Sequence, residues 1–221
     1  MHAKISIIAR STKYKVAFYA LFAVTTRISF TEYSQILYLN IMIHLFLANG
    51  FEEIEALATL DILRRCGLEV ATVSNTQDKV VIGAHNIPVI ADYSFGEIPL
   101  ADSQALILPG GMPGAKNLLD NAALREALLA QNARGALVAA ICAAPMVLGQ
   151  HGILQGRKAT CYPGFEDMLL GADVQTALIV EDGNVITGKG PAAAKSFGFA
   201  IAARFADAAI VDSVRKGMLY E

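Results

Sequence analysis

The segment Ala139-Ala140-Ile141-Cys142-Ala143-Ala144-Pro145 decides how this chain folds. Before it, Ala136-Leu137-Val138 reads as a buried parallel strand; after it, Pro145 to Gln150 reads as the opening of a helix. A cysteine at such a junction sits on a nucleophile elbow, with sulfur in place of a hydroxyl. The small residues on both sides suit a sharp turn. The side chain then stands at the carboxyl edge of the sheet, where open α/β folds hold their ligands. Amide groups at the start of the helix point at the sulfur and favour the thiolate. A plain buried cysteine fits the local sequence equally well.

Outward from this point the chain alternates strands and helices. Upstream, Ile43 to Ala48 reads as a first buried strand, followed by the turn Asn49-Gly50 and a helix over about 51–66. The helix carries Ile54, Leu57, Ala58, Ile62 and Leu63 at helical spacing. Glu52, Glu53 and Glu55 lie in its first turn and Arg64 and Arg65 in its last, as the helix dipole favours. Leu68 to Ser74 is a second strand, and Val80–Ile82 and Ile87–Ile90 read as short antiparallel or edge pieces. Ala105 to Leu108 is a third buried strand, ending in Pro109-Gly110-Gly111, with a helix over 118–131 behind it. Downstream lie a loop at 160–164, a short helix at 165–170, a hairpin about Asp182-Gly183 and helices over 191–205 and 208–218. Such alternation predicts a doubly wound, mostly parallel sheet with helices on both faces.

Composition narrows the function. In 221 residues the hydrophobic share is 54% and the net charge −2, so there is ample core and no basic footprint for nucleic acid. Three cysteines make no disulfide framework and fit a reducing cytoplasm. The scattered histidines and cysteines lack metal-ligand spacing, so neither metal nor organic cofactor is expected. Residues 1–41 stand apart. Lys4, Arg10, Lys13 and Lys15 precede an apolar run, Val16 to Val24, that is too short to span a bilayer. A strand fits directly after Met42, so residues 1–41 read as an upstream start ahead of a domain over 42–221. A loosely packed extension and a targeting segment are the alternatives.

In a doubly wound sheet the loops after successive strands gather at one edge, bringing together 49–55, 109–114 and Cys142-Ala143. Amides of Gly110 and Gly111, with that of Ala143, can form an oxyanion pocket beside the sulfur. Glu55 lies further into its helix than Glu52 and Glu53, which read simply as complements to the dipole. A partly buried carboxyl there would be pushed up by desolvation and by a neighbouring thiolate, and so could donate to the sulfur and shuttle a proton. Gly188-Lys189-Gly190-Pro191-Ala192-Ala193 formally matches a dinucleotide fingerprint but follows the last strand, so the match is coincidental.

The stretches Asn49 to Glu55, Leu108 to Gly111, Ala139 to Pro145 and Gly188 to Pro191 together resemble, in order and spacing, the ThiJ/PfpI superfamily. The similarity is nearest its DJ-one/YajL-like branch. The resemblance implies a flavodoxin-like fold, similar to class I glutamine amidotransferases, and usually a homodimer. It places an oxidation-sensitive nucleophile on Cys142, a glutamate partner on Glu55, and oxyanion groups on Gly110, Gly111 and Ala143. The activities it implies are glutathione-independent conversion of methylglyoxal to lactate and removal of early glycation adducts, with protection against oxidative stress. A redox-sensing chaperone whose cysteine oxidises to sulfinate is the alternative. Partners would be a small aldehyde or a glycated protein, with no membrane. The peptidase branch carries a histidine where Ala143 stands, and the branch's loop histidine falls on Tyr162, so a cysteine–histidine dyad is not supported. His151, about nine residues along the helix, would be roughly 13 Å away. Tyr162 and Cys161, in a loop that approaches the site, are accessory candidates, Cys161 as a resolving thiol. Cys66, on the first helix, reads as structural.

Overall fold

The computed structural model describes residues 42–220, so the reading of residues 1–41 lies outside the described residues. The order is β1 (Ile43–Leu47), α1 (Glu53–Arg65), β2 (Val70–Ser74), β3 (Val80–Ile82), β4 (Pro88–Ile90), β5 (Ala105–Leu108), α2 (Gly114–Leu119) and α3 (Ala122–Ala133). There follow β6 (Leu137–Ile141), α4 (Pro145–Gln150), β7 (Lys158–Ala159), a 3-10 turn at Glu166–Met168, β8 (Asp173–Val174), β9 (Ile179–Asp182) and β10 (Val185–Gly188). A second 3-10 turn at Pro191–Ala193 leads into α5 (Ala194–Ala202), and α6 (Ala208–Gly217) closes the chain.

Six strands form one sheet in the order β2-β1-β5-β6-β10-β9, parallel except for β9, which runs against β10. The chain steps from β1 outward to β2 and returns to β5 on the other side of β1. The crevice between β1 and β5 is therefore the topological switch point, where such sheets hold ligands. Ile43, Leu45, Leu47, Ile107, Ala139, Ile141 and Ile186 form one core with Ile62 and Leu63 of α1 and with Phe197 and Ile201 of α5. Phe46, Leu106, Leu108, Val138 and Ala140 are buried on the opposite face. Each large side chain sealed in this way contributes about 1.5–3 kcal/mol.

Three elements depart from the sequence reading. In α1 the buried stripe is Glu55, Ala56, Thr59, Ile62 and Leu63, whereas Ile54 and Leu57 face outward. Packing against α5 sets this face. A Cβ at Gly198 would stand 3.2 Å from Ile62 Cβ and 3.3 Å from Thr59 Cα, so the glycine lets the two helices approach closely. The helix expected over 118–131 is two, because the Asn121 side chain accepts from the Leu124 N–H at 3.1 Å and starts α3 afresh. β6 runs on to Ile141 rather than ending at Val138, since Ala139 and Ala140 pair with both β5 and β10. The cysteine thus follows the last strand residue directly.

Candidate active site

Cys142 leaves β6 with a φ of 65°. This left-handed value costs a non-glycine residue roughly 1–2 kcal/mol. The conformation persists because both flanks are tied: the Cys142 N–H donates to the Gly188 carbonyl at 2.9 Å, and its own carbonyl accepts the Tyr162 N–H at 2.8 Å. The strain turns the side chain toward the crevice, leaving it 8% exposed, beneath the surface but not sealed.

Glu55 meets it from α1. Glu52, as N-cap, accepts the Glu55 N–H at 2.7 Å and so holds the first turn in place. The Glu55 side chain is buried; its Oε2 accepts the Gly110 N–H at 2.8 Å, and that oxygen and Cys142 Cβ crowd the same point, where a Cβ on Gly110 would stand, so the carboxyl faces the Cys142 side chain. Among the described residues Oε1 has no hydrogen-bond partner. Only glycine fits at position 110: a Cβ there would stand 2.6 Å from Cys142 Cβ and 2.8 Å from the Ile141 carbonyl oxygen. The amides of Gly111, at φ 87°, and of Ala143 act on the thiol in the sense that favours its charged form.

Gly110 is therefore not a free oxyanion donor as the sequence suggested, because its N–H is committed to Glu55. The expected resting thiolate also needs correction. Burial first, then the Glu55 carboxylate, push the Cys142 thiol up to about 12, outweighing the amides of Gly111 and Ala143. The helix that follows the elbow, α4, is only six residues long and adds little dipole. Burial chiefly, with the charge of Glu52, raises Glu55 to about 7. Glu55 and Cys142 thus share protons as a pair: when the carboxyl takes the thiol's proton, its repulsion vanishes and its O–H becomes a donor to sulfur.

Glu53 does more than complement the dipole. Its Oε1 accepts the His85 N–H at 2.7 Å and its Oε2 pairs with His85 Nδ1 at 2.6 Å, strapping the β3–β4 hairpin to α1. The donor atoms of Glu52, Glu53 and His85 lie within 4.8 Å of one another, yet they are engaged with backbone and with each other. His151 caps the far end of α4, as its spacing requires. Cys161 is buried, and its thiol is pushed up to about 11 by burial and by Glu166; Lys189 and the Phe165 N–H act on it in the opposite sense. Tyr162 is 46% exposed and reaches the elbow through its backbone. Gly188, whose carbonyl anchors Cys142, escaped the sequence reading as a site residue; its place in the fourth shared motif was the available signal.

Residues 42–204 match the DJ-1/PfpI family. The chain is similar to protein dj-1beta of Drosophila melanogaster, 34% identical over 175 residues that cover 78% of this chain and 94% of that protein. It is also similar to deglycase PH1704 of Pyrococcus horikoshii, 34% identical over 147 residues that cover 66% of this chain and 87% of that one. Among solved structures, oxidized Toxoplasma gondii DJ-1 superposes with a TM-score of 0.76 at 32% identity, covering 81% of this chain and 98% of that one. A mutant of the Salmonella typhimurium DJ-1 superfamily protein STM1931 gives 0.75 at 34% identity, with the same coverage of 81% and 98%. These likenesses and the parallel sheet agree with the expected flavodoxin-like architecture. No helix among the described residues is long and apolar enough to cross a membrane.

Proposed function

Because the chain belongs to the DJ-1/PfpI family, we propose that it converts α-oxoaldehydes such as methylglyoxal to 2-hydroxy acids without glutathione, and removes the same aldehydes from early glycation adducts. The observation that carries this reading is the buried Glu55 carboxyl, held by the Gly110 N–H at 2.8 Å so that it faces Cys142, with the amides of Gly111 and Ala143 beside the sulfur. Glu55 takes the thiol proton as sulfur attacks the aldehyde carbon, and the two amides hold the oxygen that gains the electron pair. Glu55 returns that proton to the oxygen, giving a hemithioacetal and restoring its own carboxylate. Glu55 next removes the proton from C1 and a proton returns to C2, leaving the thioester of a 2-hydroxy acid. Water cleaves the thioester, releasing the acid and restoring the thiol. C1 is oxidised, C2 is reduced, and no external electron carrier enters. On a carbinolamine adduct the C–N bond breaks as the C–S bond forms, the amine leaves with the proton that Glu55 took from the thiol, and the same hemithioacetal results.

The test is turnover of methylglyoxal by the Cys142→Ser and Glu55→Gln proteins. Loss of about 10²–10⁴-fold in each is expected. Undiminished activity in either removes that residue from the mechanism. The relative named a deglycase supports the adduct-removing arm, which a glycated peptide offered beside free methylglyoxal would separate.

The same amides support a second reading, redox sensing. Amides that hold an oxyanion also hold the oxygens of a sulfinate, and the sulfur is not sealed from solvent. A gain of two oxygens at Cys142 under mild peroxide, at full retention of fold, favours it. We read the working form as a homodimer in a reducing compartment, where three free thiols persist. Outward-facing Ile54 and Leu57 on α1, with Ile82 and Ile87 on the adjoining hairpin, offer an apolar face, and light scattering tests the assembly.

A further inference from the structure

Beside the elbow runs a groove of about 220 Å³ whose walls are Tyr162, Leu178, Pro191, Ala192 and Lys189. Two ties fix its position relative to the elbow. Tyr162 donates its N–H to the Cys142 carbonyl at 2.8 Å, and Lys189 directly follows Gly188, whose carbonyl holds the Cys142 N–H at 2.9 Å. The Lys189 N–H donates to the Leu178 carbonyl at 2.9 Å and so joins the far wall to the near one. The Tyr162 ring lies over Gly190, where a Cβ would come within 3.1 Å of Tyr162 Cδ2.

The lining is apolar although it opens to water. Tyr162 and Leu178 are 46% and 55% exposed, large apolar surfaces left uncovered beside a reactive group. The cation of the lining, Lys189, is engaged, its Nζ donating to the Thr176 carbonyl at 3.0 Å. On the other side of the elbow stand the carboxyls of Glu55 and Glu52, so an anionic substituent would meet like charge at the sulfur.

We propose that this groove is the substituent subsite of the oxoaldehyde reaction, taking the apolar, uncharged R group of R–CO–CHO and favouring aryl or branched substituents over methyl. The inference rests on the oxoaldehyde reading above. Size allows it: an apolar cavity of about 150 Å³ accepts benzene. A methyl group leaves most of the groove in water, whereas a phenyl ring covers Tyr162 and Leu178.

The experiment measures kcat/KM for phenylglyoxal and methylglyoxal in the wild-type protein and in Ala192→Trp and Leu178→Asp. Both positions are exposed, so folding is not at stake. The expected result is a fall of about tenfold or more in the phenylglyoxal-to-methylglyoxal ratio in each variant. Filling the groove blocks the ring, and the aspartate places a charge against it. An unchanged ratio in both variants overturns the subsite while leaving the oxoaldehyde chemistry standing. Absence of turnover of both substrates by the wild-type protein overturns that chemistry itself, and the subsite with it.

Discussion

The Gly110 N–H donates to Glu55 Oε2 at 2.8 Å across a separation of 55 residues in the chain. This one bond ties the loop after β5 to the first turn of α1 and spans the crevice at the switch point. It orients the carboxyl toward the sulfur and removes Gly110 from the set of free amides. The chemistry of the pair depends on this orientation, and the first prediction concerns the proton that it shares.

Below about pH 7 Glu55 is protonated and Cys142 is a thiol, so the pair holds two protons and has no base to take one. Above that point a single proton is shared, and the state with a neutral carboxyl and a thiolate becomes reachable. Activity toward methylglyoxal is expected to rise with pH through about 7, falling about tenfold per pH unit on the acid side. Glu55→Gln should lose this limb along with most of its rate. A kcat/KM profile from pH 5 to 9 checks both.

Gly110→Ala should damage both stability and activity. The new Cβ would stand 2.6 Å from Cys142 Cβ and 2.8 Å from the Ile141 carbonyl oxygen, and both neighbours are anchored in β6 and the elbow. Overpacking of this kind costs about 1–3 kcal/mol, and the shift needed to relieve it moves the sulfur away from Glu55. Urea midpoints with parallel turnover would show it; a wild-type midpoint together with wild-type turnover would contradict the close approach.

At Cys142 the usual order of alanine and glycine should reverse. Alanine is ordinarily the more stabilising residue, but at φ 65° it keeps the left-handed penalty and glycine does not. Cys142→Gly is expected to unfold at a higher urea concentration than Cys142→Ala, by the equivalent of about 1 kcal/mol. Equal midpoints would mean that the elbow carries no strain.

Stability against pH reflects two buried groups of opposite sense. Glu55 has its pKa raised from 4.5 to about 7, so stability is lost as pH rises through that window, by about 3 kcal/mol at the full shift. Burial lowers His44 from 6.5 to about 4, so its contribution is lost as pH falls through that window, again by about 3 kcal/mol. The ring of His44 faces Ser103 Oγ at 2.7 Å on Nδ1, and among the described residues Nε2 has no hydrogen-bond partner. The two trends offset between about pH 4.5 and 6.5. Glu55→Gln removes one of them, so its unfolding free energy should drop more steeply than that of the wild type between pH 7 and 5. Urea unfolding at the two pH values measures the difference.

Much of this protein was legible before any coordinates. The strands Ile43–Leu47, Ala105–Leu108 and the run into Cys142 are short apolar blocks bounded by turn residues and alternating with helices, the pattern of a covered parallel sheet. Alanines on either side of Cys142 announced the elbow, and the four spaced motifs announced the family. These signals are local: period, turn chemistry and order along the chain are written in neighbouring residues. What tertiary structure alone decided are the choices of partner. Gly110 binds Glu55 rather than a ligand, Glu53 straps His85, and Ile54 faces outward while Glu55 faces in. Helical spacing admits either face of α1, and only packing against Gly198 of α5, with the pull of the Gly110 amide, selects one. The protonation of Cys142 was likewise beyond the sequence, because it depends on how deeply a distant carboxyl is buried against the sulfur.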